Sequence, residues 1–247
     1  MAGLDPAICA RALALPRHLI ISADDFGLSQ TVNEAIERAH RHGILAAASL
    51  VVAGPAAEDA IRRARALPSL RVGLHLVTIE GQATLPPGQI PDLVTPAGTF
   101  PSGQLRLGLR YITPRARRQL AAEIEAQFAA FAATALHLDH ANAHKHMHLH
   151  PVVGRLLIET GRRYGLRALR VPAEPPQILA AAGTQPRLGD RALYHWTRLF
   201  RRQARRAGLL INDHCFGLTW SGQMDAPHLL RLVPHLPSGI SEIYFHP

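Results

Sequence analysis

The feature that most constrains the fold is a regular alternation of short apolar runs with amphipathic helical segments. The runs fall at residues 18–23, 45–52, 71–77, 136–141, 166–171, 209–213 and 240–245. Strands that alternate with helices pair as parallel sheets. About seven such units within 247 residues favour closure of the sheet over an open arrangement. We therefore predict an α/β fold with a single domain over 1–247, built as a TIM-like, distorted (β/α) barrel.

Two local signals refine this prediction. Ser29 is a suitable N-cap for a helix that places Val32 and Ile36 on one face and ends at Gly43. Residues 80–113 are rich in glycine and proline and poor in helical periodicity. Long loops of this kind are often functional, and we expect a lid or substrate loop there.

Polar side chains interrupt or follow most of the apolar runs. In (β/α) barrels, catalytic residues lie at the carboxyl ends of the strands. We therefore expect one mouth of the barrel to collect the polar residues at these positions, which are Asp24, Asp25, His75, Asp139, His144, Arg170, Asp213 and His246.

Four histidines alternate with other residues in the segment 144–150. In an extended segment, this spacing would put His144, His146, His148 and His150 on one face, and one metal ion cannot use them all. Imidazole and carboxylate suit Zn²⁺ and its neighbours, and catalytic sites keep about three protein ligands. A solvated, adventitious metal-binding loop is the alternative interpretation.

Asp24 and Asp25 end the first apolar run. If the strand continues through them, their carboxylates point in different directions, so that one could hold a metal ion while the other faces water. The alternative is a turn or a cap for the following helix. His75, within its own apolar run, could equally be a hydrogen-bonded core residue.

Three ordered motifs resemble one known family. They are Ile20-Ile21-Ser22-Ala23-Asp24-Asp25-Phe26-Gly27-Leu28-Ser29, then Gly73-Leu74-His75-Leu76, and then His137-Leu138-Asp139 leading to His144-Lys145-His146-Met147-His148. They look like the signatures of the YdjC-like carbohydrate deacetylases, which include the chitooligosaccharide deacetylases. The segments 142–151 and 242–247 are most similar to the hopanoid-biosynthesis-associated members.

The resemblance implies a barrel enzyme that removes acetyl groups from N-acetylated sugars with one divalent metal ion. It implies Asp25, His75 and His144 as metal ligands, Asp24 as general base and His246 as general acid. Arg170 matches a position expected to touch substrate, and we add His146 and His148 as substrate contacts. The donor set favours zinc, with magnesium as the alternative.

The implied substrate is a glycolipid, N-acetylglucosaminyl bacteriohopanetetrol. Lys145 stands where the chitooligosaccharide branch has a histidine, which separates this chain from that branch. Three rivals stay open: chitooligosaccharide deacetylation, a metal-independent glycosidase that pairs Asp24 or Asp25 with Asp139, and a non-enzymatic basic protein that binds metal or nucleic acid.

The formal net charge of +9 is carried almost wholly by arginine, because Lys145 is the only lysine. No nucleic-acid motif accompanies these charges, so we expect no nucleic-acid partner. The two cysteines, Cys9 and Cys215, exclude a disulfide framework. The N-terminal Ala/Leu stretch lacks a basic leader, and no apolar run has the length of a membrane span. These features predict a cytoplasmic protein; a homodimer stays open.

Residues 191–210 are predicted to form a basic amphipathic helix. Leu193, Trp196, Leu199, Phe200 and Ala207 would share one face, and Arg198, Arg201, Arg202, Arg205 and Arg206 would occupy the rest. Packing of the apolar face on the barrel is the simpler interpretation. Peripheral contact of the arginines with an anionic inner membrane is the alternative.

Overall fold

The computed structural model describes residues 16–247. The N-terminal Ala/Leu stretch and Cys9, on which the predictions about targeting and cysteine partly rest, lie outside the described residues. Cys215 is buried with a free thiol. In the described part of the chain, no helix combines the length and the apolar character needed to cross a membrane.

Eight strands form one parallel sheet in the order β6-β5-β4-β3-β2-β1-β8-β7. Their bounds are β1 Arg17–Phe26, β2 Ala47–Leu50, β3 Arg71–Leu76, β4 Ala141–Ala143, β5 Ala168–Leu169, β6 Leu210–Ile211, β7 His214–Phe216 and β8 Gly239–Phe245. The longest register joins β1 to β8, from Arg17 opposite Gly239 to Ala23 opposite Phe245.

Within residues 16–247, eight helices connect or cover the strands. Their bounds are α1 Gln30–His42, α2 Ala57–Arg65, α3 Gln104–Ile112, α4 Pro114–Ala133, α5 Pro151–Arg163, α6 Pro176–Ala181, α7 Leu188–Arg206 and α8 Ala226–Leu232. Short 3₁₀ segments cover His144–Leu149 and Val233–His235. The predicted cap of α1 is confirmed, because the Ser29 hydroxyl accepts from the Val32 amide and the helix ends before Gly43.

The sheet is strongly curled, because its two edges belong to one continuous stretch of chain. β6 pairs with β5, whereas β7, which begins after only two further residues, pairs with β8 at the opposite edge. That connection spans at most about 11 Å between Cα atoms, and the Cys215 amide donates to the Ala173 carbonyl across the junction. The prediction of a TIM-like α/β fold is confirmed. The run predicted at 209–213 contains only β6, and β7 at 214–216 follows it at the opposite edge of the sheet.

The segment 80–113, for which the sequence predicts a lid or substrate loop, contains a helix and several buried residues. Residues 104–112 form α3. Before this helix, the side chains of Ile79, Ile90, Leu93 and Phe100 are buried in the core. Glu123, on α4, accepts hydrogen bonds from the Thr84 and Leu85 amides. Glycine and proline mark turns here, but buried apolar residues between them fix the segment against α4.

The predicted amphipathic helix corresponds to α7, with a different buried face. Thr197, Phe200 and Ala204 are buried, whereas Trp196 and Leu199 are 44% and 55% exposed. The ring of Phe200 packs near Gly154 of α5. The assignment of Leu199 to the packed face is therefore wrong, because α7 contacts α5 through the helical face that contains Phe200.

Candidate metal centre

The site begins at an irregularity at the end of β1. Pairing with β2 shifts register between Ala23 and Phe26, and Asp25 has a φ of 63°. This left-handed conformation is uncommon for non-glycine residues, although aspartate adopts it more readily than most. The shift turns both aspartates toward the site, contrary to the expectation that a regular strand would point them apart.

Three ligand atoms of the metal triad form a nearly equilateral triangle. Asp25 Oδ1 lies 3.4 Å from His75 Nε2 and 3.4 Å from His144 Nδ1, and the two histidine nitrogens are 3.3 Å apart. His75 is the penultimate residue of β3 and His144 directly follows β4, so the carboxyl ends of these neighbouring strands bring them together. The sequence prediction of this triad agrees with the geometric grouping of these residues.

Asn142 orients the ring of His75. Its amide nitrogen donates to Asp24 Oδ1 and to Ser49 Oγ, both at 2.9 Å, which turns its oxygen toward His75 Nδ1 at 2.7 Å. That oxygen accepts only if His75 carries its hydrogen on Nδ1, so Nε2 presents a lone pair to the triad. Burial lowers the pKa of His75, although the nearby carboxylates act to raise it. The ring therefore stays neutral, as a metal ligand must.

Asp24 is held by a buried arginine. Arg170 Nη1 donates to both carboxylate oxygens of Asp24, at 2.8 and 2.6 Å, and Nε donates to Glu242 at 2.8 Å. Nη2 donates to the Ser22 hydroxyl at 2.9 Å. Burial alone would raise the pKa of Asp24, but Arg170 outweighs it and holds that pKa far below its ordinary value.

The same contacts correct the role expected of Arg170. The residue is 2% exposed, and all three guanidinium nitrogens are engaged within the protein. No donor is left for a substrate, so Arg170 acts on the site by positioning Asp24. Its guanidinium also lies 4.7 Å from the centre of the Tyr244 ring.

The histidine tract is not extended. Lys145 and His146 have φ values of 50° and 54° inside the 3₁₀ segment, so the period-two spacing does not place the four rings on one face. His148 is buried without exposure, against the ring of Phe200. The substrate contact predicted for His148 is therefore wrong, and burial holds its pKa well below the ordinary value.

His146 remains accessible at the edge of the site. It is half-buried, and its Nε2 lies 2.8 Å from the Tyr244 hydroxyl. Burial, together with the nearby Arg170, lowers the pKa of His146 to about 3, so the ring is neutral at physiological pH. The preceding Lys145 is ion-paired with Glu80.

Two predicted mouth residues lie at the other end of the barrel. Asp139 precedes β4 and contacts His140, whose Nε2 is 3.1 Å from the Ser49 hydroxyl. Asp213 precedes β7 and forms ion pairs with Arg201 and Arg205. Both lie within predicted apolar runs, but the strands β4 and β7, which lead toward the mouth, begin only after them.

His246 lies just beyond β8. Side chains two residues apart on a strand share a face, which places His246 on the same face as Glu242 and Tyr244, and its ring contacts the Tyr244 ring at 5.6 Å between centroids. The side chain is half-buried. It lies close enough to Asp24 to act on that carboxylate electrostatically.

The charges and donor atoms of the site fit a divalent cation. Asp24, Asp25 and Glu242 carry three formal negative charges and Arg170 one positive charge, which leaves a net −2. Burial opposes ionisation of Asp25, but His144 and His75 outweigh it and lower its pKa. The net negative charge of this largely buried group favours a bound cation, because buried charges in proteins are paired or coordinate metals.

Comparison with known proteins identifies the family. The model of the family described as YdjC-like protein matches residues 18–247. The chain belongs to the YdjC-like family. A carbohydrate deacetylase of Geobacillus stearothermophilus is 37% identical over 65% of this chain, and the match spans only 60% of that relative's length. A carbohydrate deacetylase of Vibrio vulnificus is 35% identical over 93% of this chain and 77% of its own length.

A solved structure shows the same fold. A protein of Enterococcus faecalis V583, described as a proposed cellobiose-phosphate cleavage protein, superposes with a TM-score of 0.73 at 22% identity. The superposition covers 94% of this chain and 81% of the other. The curled parallel sheet is thus an architecture that this YdjC-like chain shares with a solved protein.

Four residues of the site escaped the sequence analysis as functional residues. They are Ser22, Ser49, Asn142 and Glu242, which hold Asp24, Arg170 and His75 in place. A signal was present for most of them. Ser22 stands two residues before Asp24, Asn142 two before His144, and Glu242 four before His246, so each shares a strand face with a predicted residue. Polar residues at this spacing inside apolar strands indicate supporting contacts.

Proposed function

We propose that this YdjC-like chain is a metal-dependent carbohydrate N-deacetylase, which releases acetate from an N-acetylglucosaminyl group. The observation that carries the proposal is the triangle of Asp25, His75 and His144 ligand atoms, 3.3 to 3.4 Å on a side, beside the buried Asp24 carboxylate. The relatives named carbohydrate deacetylases support the reaction class.

Zinc fits the triangle better than magnesium. The chemistry of the donor set supports this choice, because two imidazoles with one carboxylate suit zinc, whereas magnesium prefers oxygen ligands.

Amide hydrolysis needs an activated nucleophile, a stabilised oxyanion and a proton donor. A divalent ion held by the triad would supply the first two functions, by lowering the pKa of water and by polarising the acetamide carbonyl. Asp24 is the general base in this scheme. Its Oδ1 accepts from both Arg170 and Asn142, whereas Oδ2 accepts only from Arg170, so Oδ2 is the atom with capacity to receive a proton.

The departing amine requires a proton from another group. His246 is the candidate acid, because it shares a strand face with Tyr244 and stands near Asp24 without any direct hydrogen bond to it. Arg170 keeps Asp24 ionised and oriented, and His146 is a candidate substrate contact at the edge of the site. Each positioned proton transfer is worth about 10²- to 10⁴-fold in rate.

The finer substrate assignment is N-acetylglucosaminyl bacteriohopanetetrol. It is supported by the resemblance of the segments around His144 and His246 to hopanoid-associated deacetylases, and by Lys145. Chitooligosaccharides are the second candidate, supported by the carbohydrate deacetylase relatives. The paired-carboxylate glycosidase loses support, because Asp139 precedes β4 at the end of the barrel opposite Asp24.

Acetate release tests the proposal. The purified chain, with zinc restored after chelation, is assayed on the N-acetylglucosaminyl lipid and on chitooligosaccharides of matched concentration. We expect acetate from the lipid in preference to the oligosaccharides, and loss of turnover in chelator. Release of free sugar that persists in chelator would indicate a glycosidase instead, and faster turnover of chitooligosaccharides would overturn the lipid assignment.

A further inference from the structure

An open groove of about 660 Å³ lies beside the metal centre. Helices α3 and α7 form its walls, and the 3₁₀ segment after His144 forms its floor. Pockets that hold drug-sized ligands have volumes of about 300–1,000 Å³. The groove is therefore large enough for a substantial chemical group.

The walls of the groove are apolar and exposed to solvent. Leu105, Leu109 and Ile112 of α3 are 80%, 63% and 59% exposed, and their spacing places them on one helical face. From α7, Trp196 is fixed in the opposite wall, because its indole nitrogen donates to the Leu149 carbonyl at 2.9 Å. Contiguous exposed apolar surface of this kind marks interaction sites.

Two residues of the groove are neighbours of the metal centre in the chain. Lys145 and His146 line the groove, and they directly follow the metal ligand His144 in the chain. Lys145, the only charged lining residue, is neutralised by its ion pair with Glu80. The part of an occupant that complements these walls is therefore uncharged and apolar. A polar part of the same molecule would lie toward the triad.

We propose that the groove binds the uncharged, apolar aglycone of an N-acetylated sugar substrate, with the sugar placed at the metal centre. The inference rests on the proposed deacetylase function and extends it by assigning α3 and α7 to recognition of the apolar part. The groove would thus recognise a part of the substrate that does not take part in the reaction.

Binding is tested first without catalysis. Trp196 emission is followed in a Trp220→Phe background while a dodecyl glucoside, which has no amide to cleave, is added below its micelle concentration. We expect a saturable blue shift that is weakened at least about 10-fold in Leu105→Gln/Leu109→Gln, since each lost apolar contact is worth about 10-fold or more. The matched control is Leu210→Gln/Leu230→Gln, which removes two leucines that are 72% and 71% exposed outside the groove.

Kinetics then link the groove to turnover. We expect dodecyl N-acetylglucosaminide to have a KM at least about 10-fold lower than the methyl glycoside. Leu105→Gln/Leu109→Gln should abolish that difference by raising KM for the dodecyl substrate alone, with kcat on the methyl glycoside unchanged.

The two experiments separate failure of the groove from failure of the proposed function. Saturable dodecyl binding without acetate release from either glycoside would overturn the deacetylase function and leave the apolar site. Equal binding by the groove and control variants, or equal KM for the two glycosides, would overturn the groove assignment. A wild-type dimer that only Leu105→Gln/Leu109→Gln dissociates, without amphiphile binding, would assign the groove to self-association instead.

Discussion

The two halves of the barrel are built differently. Around the site, β1 has 10 residues, β3 has 6 and β8 has 7. On the other side, β5 and β6 have 2 residues each and β7 has 3. The metal triad and Asp24 all belong to the half with long strands and its neighbour β4. Main-chain pairing therefore fixes the backbone where the chemistry requires accurate placement.

Buried polar side chains replace strand pairing in the other half. The Asn212 side chain accepts a hydrogen bond from the Val171 amide and donates one to the Val171 carbonyl, both at 2.7 Å. A neighbouring strand would make the same two contacts. Glu174 accepts from the amides of residues 217–219 and from the Thr219 hydroxyl. The contribution of this half to the site is Arg170, which follows β5 and reaches across to Asp24. Loss of a side chain should thus affect chemistry in one half and stability in the other.

The largest effect is expected from removal of a metal ligand in the long-stranded half. His144→Ala should lose its bound metal and fall to background turnover, because the triad has no spare ligand. His150→Ala, in the same tract but outside the triad, is the matched control and should keep its metal. Metal content is measured by elemental analysis of both purified variants. Full occupancy in His144→Ala would move the metal site elsewhere.

Asp24→Asn should lower kcat by about 10²- to 10⁴-fold while metal stays bound, because the base is needed for proton transfer and not for coordination. Elemental analysis and kcat measured on one preparation separate the two effects. Near-normal turnover with bound metal would remove Asp24 from the mechanism.

The acid stability of the same variant checks the ion pair with Arg170. The pKa of Asp24 is depressed in the folded protein, so its contribution to stability is complete above the unfolded value of about 3.9 and is lost as the pH falls toward the folded pKa. Thermal melting of the metal-free protein should therefore depend less on pH below about 4 in Asp24→Asn than in the wild type. An equally steep decline in both proteins would contradict a stabilising pair.

The choice of Asp25, His75 and His144 as the triad came from the family resemblance. The apolar pattern places Asp25 and His75 near the ends of long strands, whereas His144 follows the three-residue β4. Apolar periodicity locates β1, β3 and β8, and the strand ends of a parallel barrel must converge. It fails at β7, because a strand of only three residues leaves no periodicity to detect. It also fails at Asp25 and His146, because left-handed backbone conformations depend on tertiary contacts and not on local preference. The burial of Arg170 and His148 has the same tertiary origin.

A smaller effect is expected for Asn142→Ala, which removes the residue that orients His75. Loss of such supporting contacts typically lowers metal affinity about 10- to 100-fold. The metal dissociation constant is measured by competition with a chromogenic chelator, and melting of the metal-free variant reports any separate loss of stability. Ser22→Ala, which removes a contact to Arg170 and none to the triad, is the control. Unchanged affinity in Asn142→Ala would show that the strands alone orient His75.

In the short-stranded half, Glu174→Gln should lower the free energy of unfolding by about 1–3 kcal/mol, because an amide nitrogen would face backbone donors that the carboxylate now satisfies. Metal affinity should stay unchanged. Glu159→Gln, on the exposed surface of α5, is the control and should have little effect. Denaturant unfolding of the metal-free proteins measures the difference. A loss of metal affinity in Glu174→Gln would mean that the two halves are not independent.

The smallest effect concerns the outer surface of the short-stranded half, which α7 covers. Arg201 and Arg205 both contact Asp213, so their replacement would disturb packing, whereas Arg198 and Arg202 are exposed. If α7 meets an anionic membrane, Arg198→Glu/Arg202→Glu should weaken sedimentation with anionic liposomes, at about 1 kcal/mol for each charge near the surface. Exposed Arg117 and Arg118 on α4 provide the matched control, as Arg117→Glu/Arg118→Glu. Equal binding by the two variants at low salt would mean that total charge, and not the position of α7, determines membrane contact.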